Sequence, residues 1–226
     1  MKKLWKVLKP IVYGYTFLYL LVFLVLLIIS MFNVPLDNDN IYKWMIISVL
    51  VGTIPIIFIS FLKYYKNEDK IKNNKLLLMF PLGIGISLFY NMLTINLLTN
   101  KEVTELPLIV VIMYTGILGP IFEELLFRYF SLNKAKEMFG KKKAIIYVAI
   151  FFAFMHSGFV SIIYAFIIGL VLGYIYLKNR NIVYPIMIHI SANITSIFLK
   201  SFNIYLLIIS IFLLIISGYF LKKIDK

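Results

Sequence analysis

The sequence predicts an all-α, polytopic membrane protein of about eight transmembrane helices. Of its 226 residues, 62% are hydrophobic and only 15% are charged, the mean hydropathy is +0.94, and the lysines gather between long apolar runs. A soluble domain averages about 45–50% apolar and about 25% charged residues, whereas one bilayer crossing takes about 20 apolar helical residues. The chain has no cysteine, which removes disulfides, thiolate metal ligands and a thiol nucleophile together.

Taken in order, the apolar runs are 11–32, 41–62, 75–98, 107–130, 143–157, 159–177, 182–200 and 203–221. The first follows Lys2, Lys3, Lys6 and Lys9, is too long for a secretion signal, and meets no small-residue cleavage site before Asn33 and Pro35; it reads as a retained helix. The fifth is the shortest, because His156-Ser157-Gly158 ends it early. Eight spans starting inside alternate sides. Lys43, Lys101 and Lys200 then lie outside, Arg128 lies in a span, and the rest of the 23 basic residues fall on cytoplasmic segments. That asymmetry follows the positive-inside rule and predicts a multi-pass cell-membrane protein with both termini cytoplasmic. The net charge of +13 is accounted for by topology and anionic headgroups, so the lipid bilayer is an expected partner and nucleic acid is not. The organisation is one domain, 1–226: helices without motifs over 1–106, a core with three motifs over 107–200, and a last helix with a basic tail over 201–226.

Five groups able to carry charge lie inside the apolar runs, namely Glu123, Glu124, Arg128, His156 and His189, and the histidines are the only two in the chain. Ionisable groups inside a membrane are costly and mark function. They form three patterns: Glu123-Glu124-x-x-x-Arg128, Phe152-x-x-x-His156 and His189-x-x-x-Asn193. On a helix Glu124 and Arg128 are i and i+4 and share a face, while Glu123 is rotated about 100° away. Glu124 with Arg128 therefore reads as a structural ion pair and Glu123 as the carboxylate available for chemistry. Pro120 removes a backbone donor before the acidic pair, and Pro185 does so before His189, so both helices are expected to loosen there. Phe152 lies one turn before His156, positioned to wall a pocket or to pack in the core. Counted from the cytoplasmic ends at about 1.5 Å per residue, Glu123 and His189 lie roughly 10–11 Å deep, Asn193 roughly 17 Å and His156 roughly 20 Å, so a tilted or re-entrant fifth segment is needed to bring His156 level. No span holds an aspartate, no His-Glu-x-x-His helix is present, and no glycine-flanked serine motif accompanies Ser157 or Ser191. Water activated by glutamate and histidine, with or without a metal, remains.

The three patterns resemble, in order, the signature motifs of the CPBP intramembrane proteases, the family of the CAAX prenyl endopeptidases and the bacterial Abi proteins of bacteriocin processing and self-immunity. The resemblance covers roughly residues 107–200. It implies an eight-helix endopeptidase bundle open to the cytoplasmic side, with Glu123 as the base that activates water, His156 assisting, and His189 and Asn193 stabilising the oxyanion. Glu124, Arg128 and Phe152 would shape the site. It implies no required cofactor; if zinc is used, Glu123, His156 and His189 would hold it. The richness in Ile, Lys and Asn suggests a low-GC bacterium, where a membrane-associated peptide or protein, such as a bacteriocin or pheromone precursor, is the expected substrate. A non-catalytic immunity or scaffold protein of the same fold is the alternative, and a proton-coupled transporter using the buried Glu/His set as a relay is a third.

Overall fold

The computed structural model describes residues 2–31, 47, 50–55, 57–60, 62, 76–97 and 107–223. All regular structure among them is helical. Helix α1 is Lys2–Met31, α2 is Leu76–Thr94 with a closing 3₁₀ turn at Ile95–Leu97, and α3 is the continuous stretch Leu108–Phe139. Then follow α4 (Lys141–Phe154), α5 (Phe159–Asn179), α6 (Val183–Phe198) and α7 (Ile204–Lys223).

Among the described residues four stretches are long and apolar enough to cross a membrane: α1, Leu76–Leu97, α3 and α5. α6 and the apolar part of α7, Ile204–Tyr219, are shorter apolar helices. Residues 41–46, 48, 49, 56 and 61 of the second expected span, 41–62, lie outside the described residues, while 50–55 and 57–60 are helical. The fifth, 143–157, is the 14-residue α4, about 21 Å long, which is shorter than the hydrocarbon core. Its outer surface is apolar all the same: Phe154 and Phe159, either side of the turn that follows it, are 74% and 78% exposed.

One buried core joins α1 through α6, with Val7, Ile11 and Leu18 of α1 packed into the same cluster as Leu125 and Phe127 of α3 and Ile188 of α6. α2 meets α6 at Gly83, where a Cβ would run into Ser191 Oγ and the Ile188 carbonyl. α5 meets α4 at Gly169, where a Cβ would stand 3.2 Å from Ala149 Cβ and 3.4 Å from the Phe152 ring. These close approaches let α2 sit tightly against α6, and α5 against α4.

α3 departs from the expected loosened helix in an instructive way. The backbone does not break at Pro120: Leu118 and Gly119 keep right-handed helical angles. Instead the turns widen, with π-helix at Ile112–Leu118 and Leu125–Leu132 on either side of the α-helical Gly119–Glu124. The Gly119 N–H donates to the Tyr114 carbonyl, five residues back. In that register the partner due to the Thr115 carbonyl is Pro120, which has no N–H to give. The second proline expected to loosen its helix, Pro185, does not, because it lies in the first turn of α6, where a missing N–H is harmless; the Asn181 Oδ1 accepts from the Val183 N–H, 2.9 Å, and starts that helix cleanly.

Candidate active site

α3 carries three of the singled-out side chains, and its helical period divides their contacts. Arg128 and Glu124 are both buried and stand 2.9 Å apart, Nη1 to Oε1. The approach is off the N–H axis, so it is an ion pair held by contact rather than an aligned hydrogen bond. Arg128 is further held by the Gly169 carbonyl at 3.5 Å from Nη2 and by the Phe152 ring, whose centroid lies 4.5 Å below the guanidinium. The same Glu124 Oε1 lies 2.8 Å from His189 Nδ1, which crosses from α3 to α6. A carboxylate accepts only, so Nδ1 carries the hydrogen and His189 Nε2 is left to face elsewhere.

It faces Glu123. His189 Nε2 lies 3.8 Å from Glu123 Oε2, too far for a direct hydrogen bond and the spacing at which a shared polar group bridges two partners. Glu123 is 23% exposed, against nothing for Glu124. The two adjacent carboxylates are thus held differently, one fixed in the core against Arg128 and His189, the other at the edge with an accessible oxygen.

His156 follows the end of α4, in the turn that Gly158 closes with φ +81°, a backbone conformation glycine adopts without strain. Its Nδ1 lies 2.9 Å from the Phe152 carbonyl; since that oxygen only accepts, Nδ1 donates and Nε2 is free to accept. Phe152, 1% exposed, stands edge-on to His156 and to His189, with ring centroids 4.9 Å and 5.7 Å away. The unequal depths counted along the sequence do not keep the two histidines apart, since both flank Phe152.

Asn193 has a partner its spacing did not suggest: its Nδ2 donates to the Thr115 carbonyl at 2.8 Å. That is the carbonyl which the π turn and Pro120 leave without a backbone donor. Asn193 therefore docks on α3 about two turns before Glu123 and fastens α6 to it. The structure also brings in a residue that sequence reasoning missed. Tyr15 of α1 packs edge-on against Phe122, the residue before Glu123, with ring centroids 5.4 Å apart; the only signal for it was an aromatic position in a helix rich in them. Among the described residues no group of three or more His, Asp or Glu side chains is close enough to hold a metal ion, while the contact of Nδ1 with Glu124 leaves His189 Nε2 open.

Residues 105–195 match the family model described as type II CAAX prenyl endopeptidase Rce1-like. This stretch is similar to the Rce1-like family. Members are intramembrane endopeptidases, which agrees with carboxylate and imidazole groups buried among apolar helices. No curated protein and no solved structure matches the chain. The Rce1-like stretch runs from just before α3 to the Asn193 turn of α6 and so contains all three sequence patterns; α1, with Tyr15, lies outside it.

Proposed function

We propose that the protein is an intramembrane endopeptidase in which Glu123 activates water to cut a membrane-associated peptide or protein. The observation that carries this is the asymmetry of the acidic pair: Glu124 is used up by Arg128 and His189, whereas Glu123 Oε2 faces His189 Nε2 across 3.8 Å. A water held between these groups gives its proton to Glu123, and its oxygen attacks the scissile carbonyl. The His156 Nε2, set by the Nδ1–H bond to Phe152, accepts from the same water and keeps it in line. His189, its Nδ1–H held by Glu124, carries a proton on Nε2 and donates it as a hydrogen bond to the developing oxyanion. Asn193 supplies a second donor through the amide hydrogen not bound to Thr115. The proton on Glu123 passes to the leaving amine as the C–N bond breaks, which restores the site.

Each step uses groups of the chain alone; if zinc is used, Glu123, His156 and His189 would hold it. The basic segments favour a site reached from the cytoplasmic side with both termini there. For the substrate we favour a bacteriocin or pheromone precursor over a prenylated protein, because no residue of the site is built to read a prenyl chain.

The test is cleavage of membrane-anchored peptides, prenylated and unprenylated, by the purified full chain and by Glu123→Ala, each with and without a tight zinc chelator. Cleavage of an unprenylated peptide that is lost in Glu123→Ala and indifferent to chelation is expected. Loss on chelation, restored by zinc, makes it a metalloenzyme. A Glu123→Ala protein as active as wild type removes Glu123 from its role, and an inert wild type favours a binding protein of the same fold.

A further inference from the structure

α2 carries none of the sequence patterns and lies outside the Rce1-like stretch, yet two consecutive residues near its end reach the helices on which the histidines depend. The Tyr90 hydroxyl donates to the Val160 carbonyl, 2.7 Å away, and its ring lies against that of Tyr164, centroids 4.9 Å apart. Val160 stands in the first turn of α5, four residues after His156. Asn91, rotated about 100° from Tyr90, meets α6 instead. Its Nδ2 donates to the Ser87 carbonyl at 2.9 Å, which turns Oδ1 toward Ser196 Oγ at 3.5 Å. About two turns before Tyr90, Gly83 brings the α2 backbone against Ile188 and Ser191 of α6, the residues that bracket His189.

We propose that Tyr90 is a positioning residue for His156, its hydroxyl tying the His156 turn to α2 and, through α2, to the helix that bears His189. The proposal rests on the reading of His156 and His189 as partners around one water at Glu123. Two imidazoles on different helices that are to share a water must be held to a fraction of an ångström. The other bonds of the turn, Met155 N–H to the Phe152 carbonyl, His156 N–H to the Ala153 carbonyl and Ile162 N–H to the Gly158 carbonyl, are local to α4 and α5, and Phe154 and Phe159 on either side of it are exposed. Ring contacts with Phe152 set the spacing of the imidazoles but bear weakly on their height, whereas a hydrogen bond is directional. Tyr90 supplies one from a third helix that is itself seated on α6. α2 is then part of the frame of the active site, so the Rce1-like stretch is incomplete without it.

The test uses the full chain with Tyr90→Phe, which keeps the ring against Tyr164 and removes only the hydroxyl. Tyr174→Phe, on α5 and 54% exposed, is its matched control. On a fluorogenic membrane-anchored peptide that the wild type cuts, Tyr90→Phe is expected to lower kcat by about 10- to 100-fold with KM within about twofold, while Tyr174→Phe behaves as wild type. A second readout needs no turnover. The chain has two histidines, so histidine-labelled protein gives two sets of imidazole resonances, assigned by the loss of one in His156→Gln. Tyr90→Phe is expected to displace the His156 set and leave the His189 set, which Glu124 holds, in place. Wild-type kcat or unmoved His156 resonances in Tyr90→Phe overturns the proposal, as does equal displacement of both imidazoles or an equal effect of Tyr174→Phe. Should Tyr90→Phe melt early, the spectrum of the folded fraction decides. A His156→Gln protein that cleaves as well as wild type strikes instead at the role of His156, and the resonances alone then judge the Tyr90 contact.

Discussion

Removing the charge of Arg128 tests the core of the site most directly. Arg128 is 1% exposed and Glu124 not at all, so neither ion has water to fall back on. With Arg128→Met, Glu124 keeps only His189; with Glu124→Gln, Arg128 keeps only a carbonyl at 3.5 Å and the Phe152 face. Breaking a buried pair by deleting one partner costs about 3–5 kcal/mol, because the other charge stays buried, whereas replacing both removes that penalty. At about 2–4 °C per kcal/mol for a chain of this size, each single variant should melt about 6–20 °C below wild type in detergent or bicelles. The double variant Glu124→Gln/Arg128→Met should recover most of that loss without recovering cleavage, because His189 no longer has an anion on Nδ1. Melting curves and peptide cleavage on the four proteins complete the cycle. Losses that simply add, or single variants within about 1 kcal/mol of wild type, refute the idea of a desolvated pair whose two charges need one another.

Phe152→Leu loses ring contacts with Phe127, His156 and His189 and the face under Arg128; at about 0.5–1.5 kcal/mol per aromatic pair and a comparable cation–π contribution, thermal melting should report a loss of about 2–4 kcal/mol, with kcat lowered as both imidazoles slacken. Pro120→Ala gives the chain an N–H that competes with Asn193 for the Thr115 carbonyl, so the protein should melt higher while cleaving more slowly; melting and kcat both unchanged would contradict the freed-carbonyl account. Gly83→Ala drives a methyl against Ser191 Oγ and the Ile188 carbonyl and forces α2 from α6, at about 1–3 kcal/mol with cleavage falling because His189 rides on α6. Gly218→Ala, with open space around it, should leave cleavage unchanged and serves as the matched control.

The contacts legible in the sequence were those set within one helix. The i, i+4 spacing of Glu124 and Arg128 anticipated their ion pair, and the 100° rotation of Glu123 anticipated its separate position. Contacts between helices were less legible. Nothing local to His189 says that its Nδ1 will reach Glu124 rather than Glu123, since that depends on how α6 crosses α3 at Gly116, where a Cβ would stand 3.0 Å from Ile194 Cγ1. Pro185 was misread because proline acts oppositely in a first turn and in an interior, and only the capping by Asn181 tells the two apart. Pro120 was read correctly as a disturbance but not in kind: a wider turn satisfies the backbone without a break. Tyr15 was invisible because its partner is distant in the chain and the surrounding tyrosines and phenylalanines hide any single one.

The brevity of α4 bears on how a hydrolase obtains water inside oil. Lysines favour the headgroups, so with Lys141, Lys142 and Lys143 placed there the 14-residue α4 would end about 21 Å in, well short of the roughly 30 Å of hydrocarbon. Lipid beside it would have to thin or dimple to cover the turn, and thinning costs only fractions of a kcal/mol per ångström. The far leaflet would then be drawn toward His156, and the membrane would be shallow where the proposed reaction needs both water and an unwound peptide. A thicker bilayer should then slow the enzyme without touching any side chain.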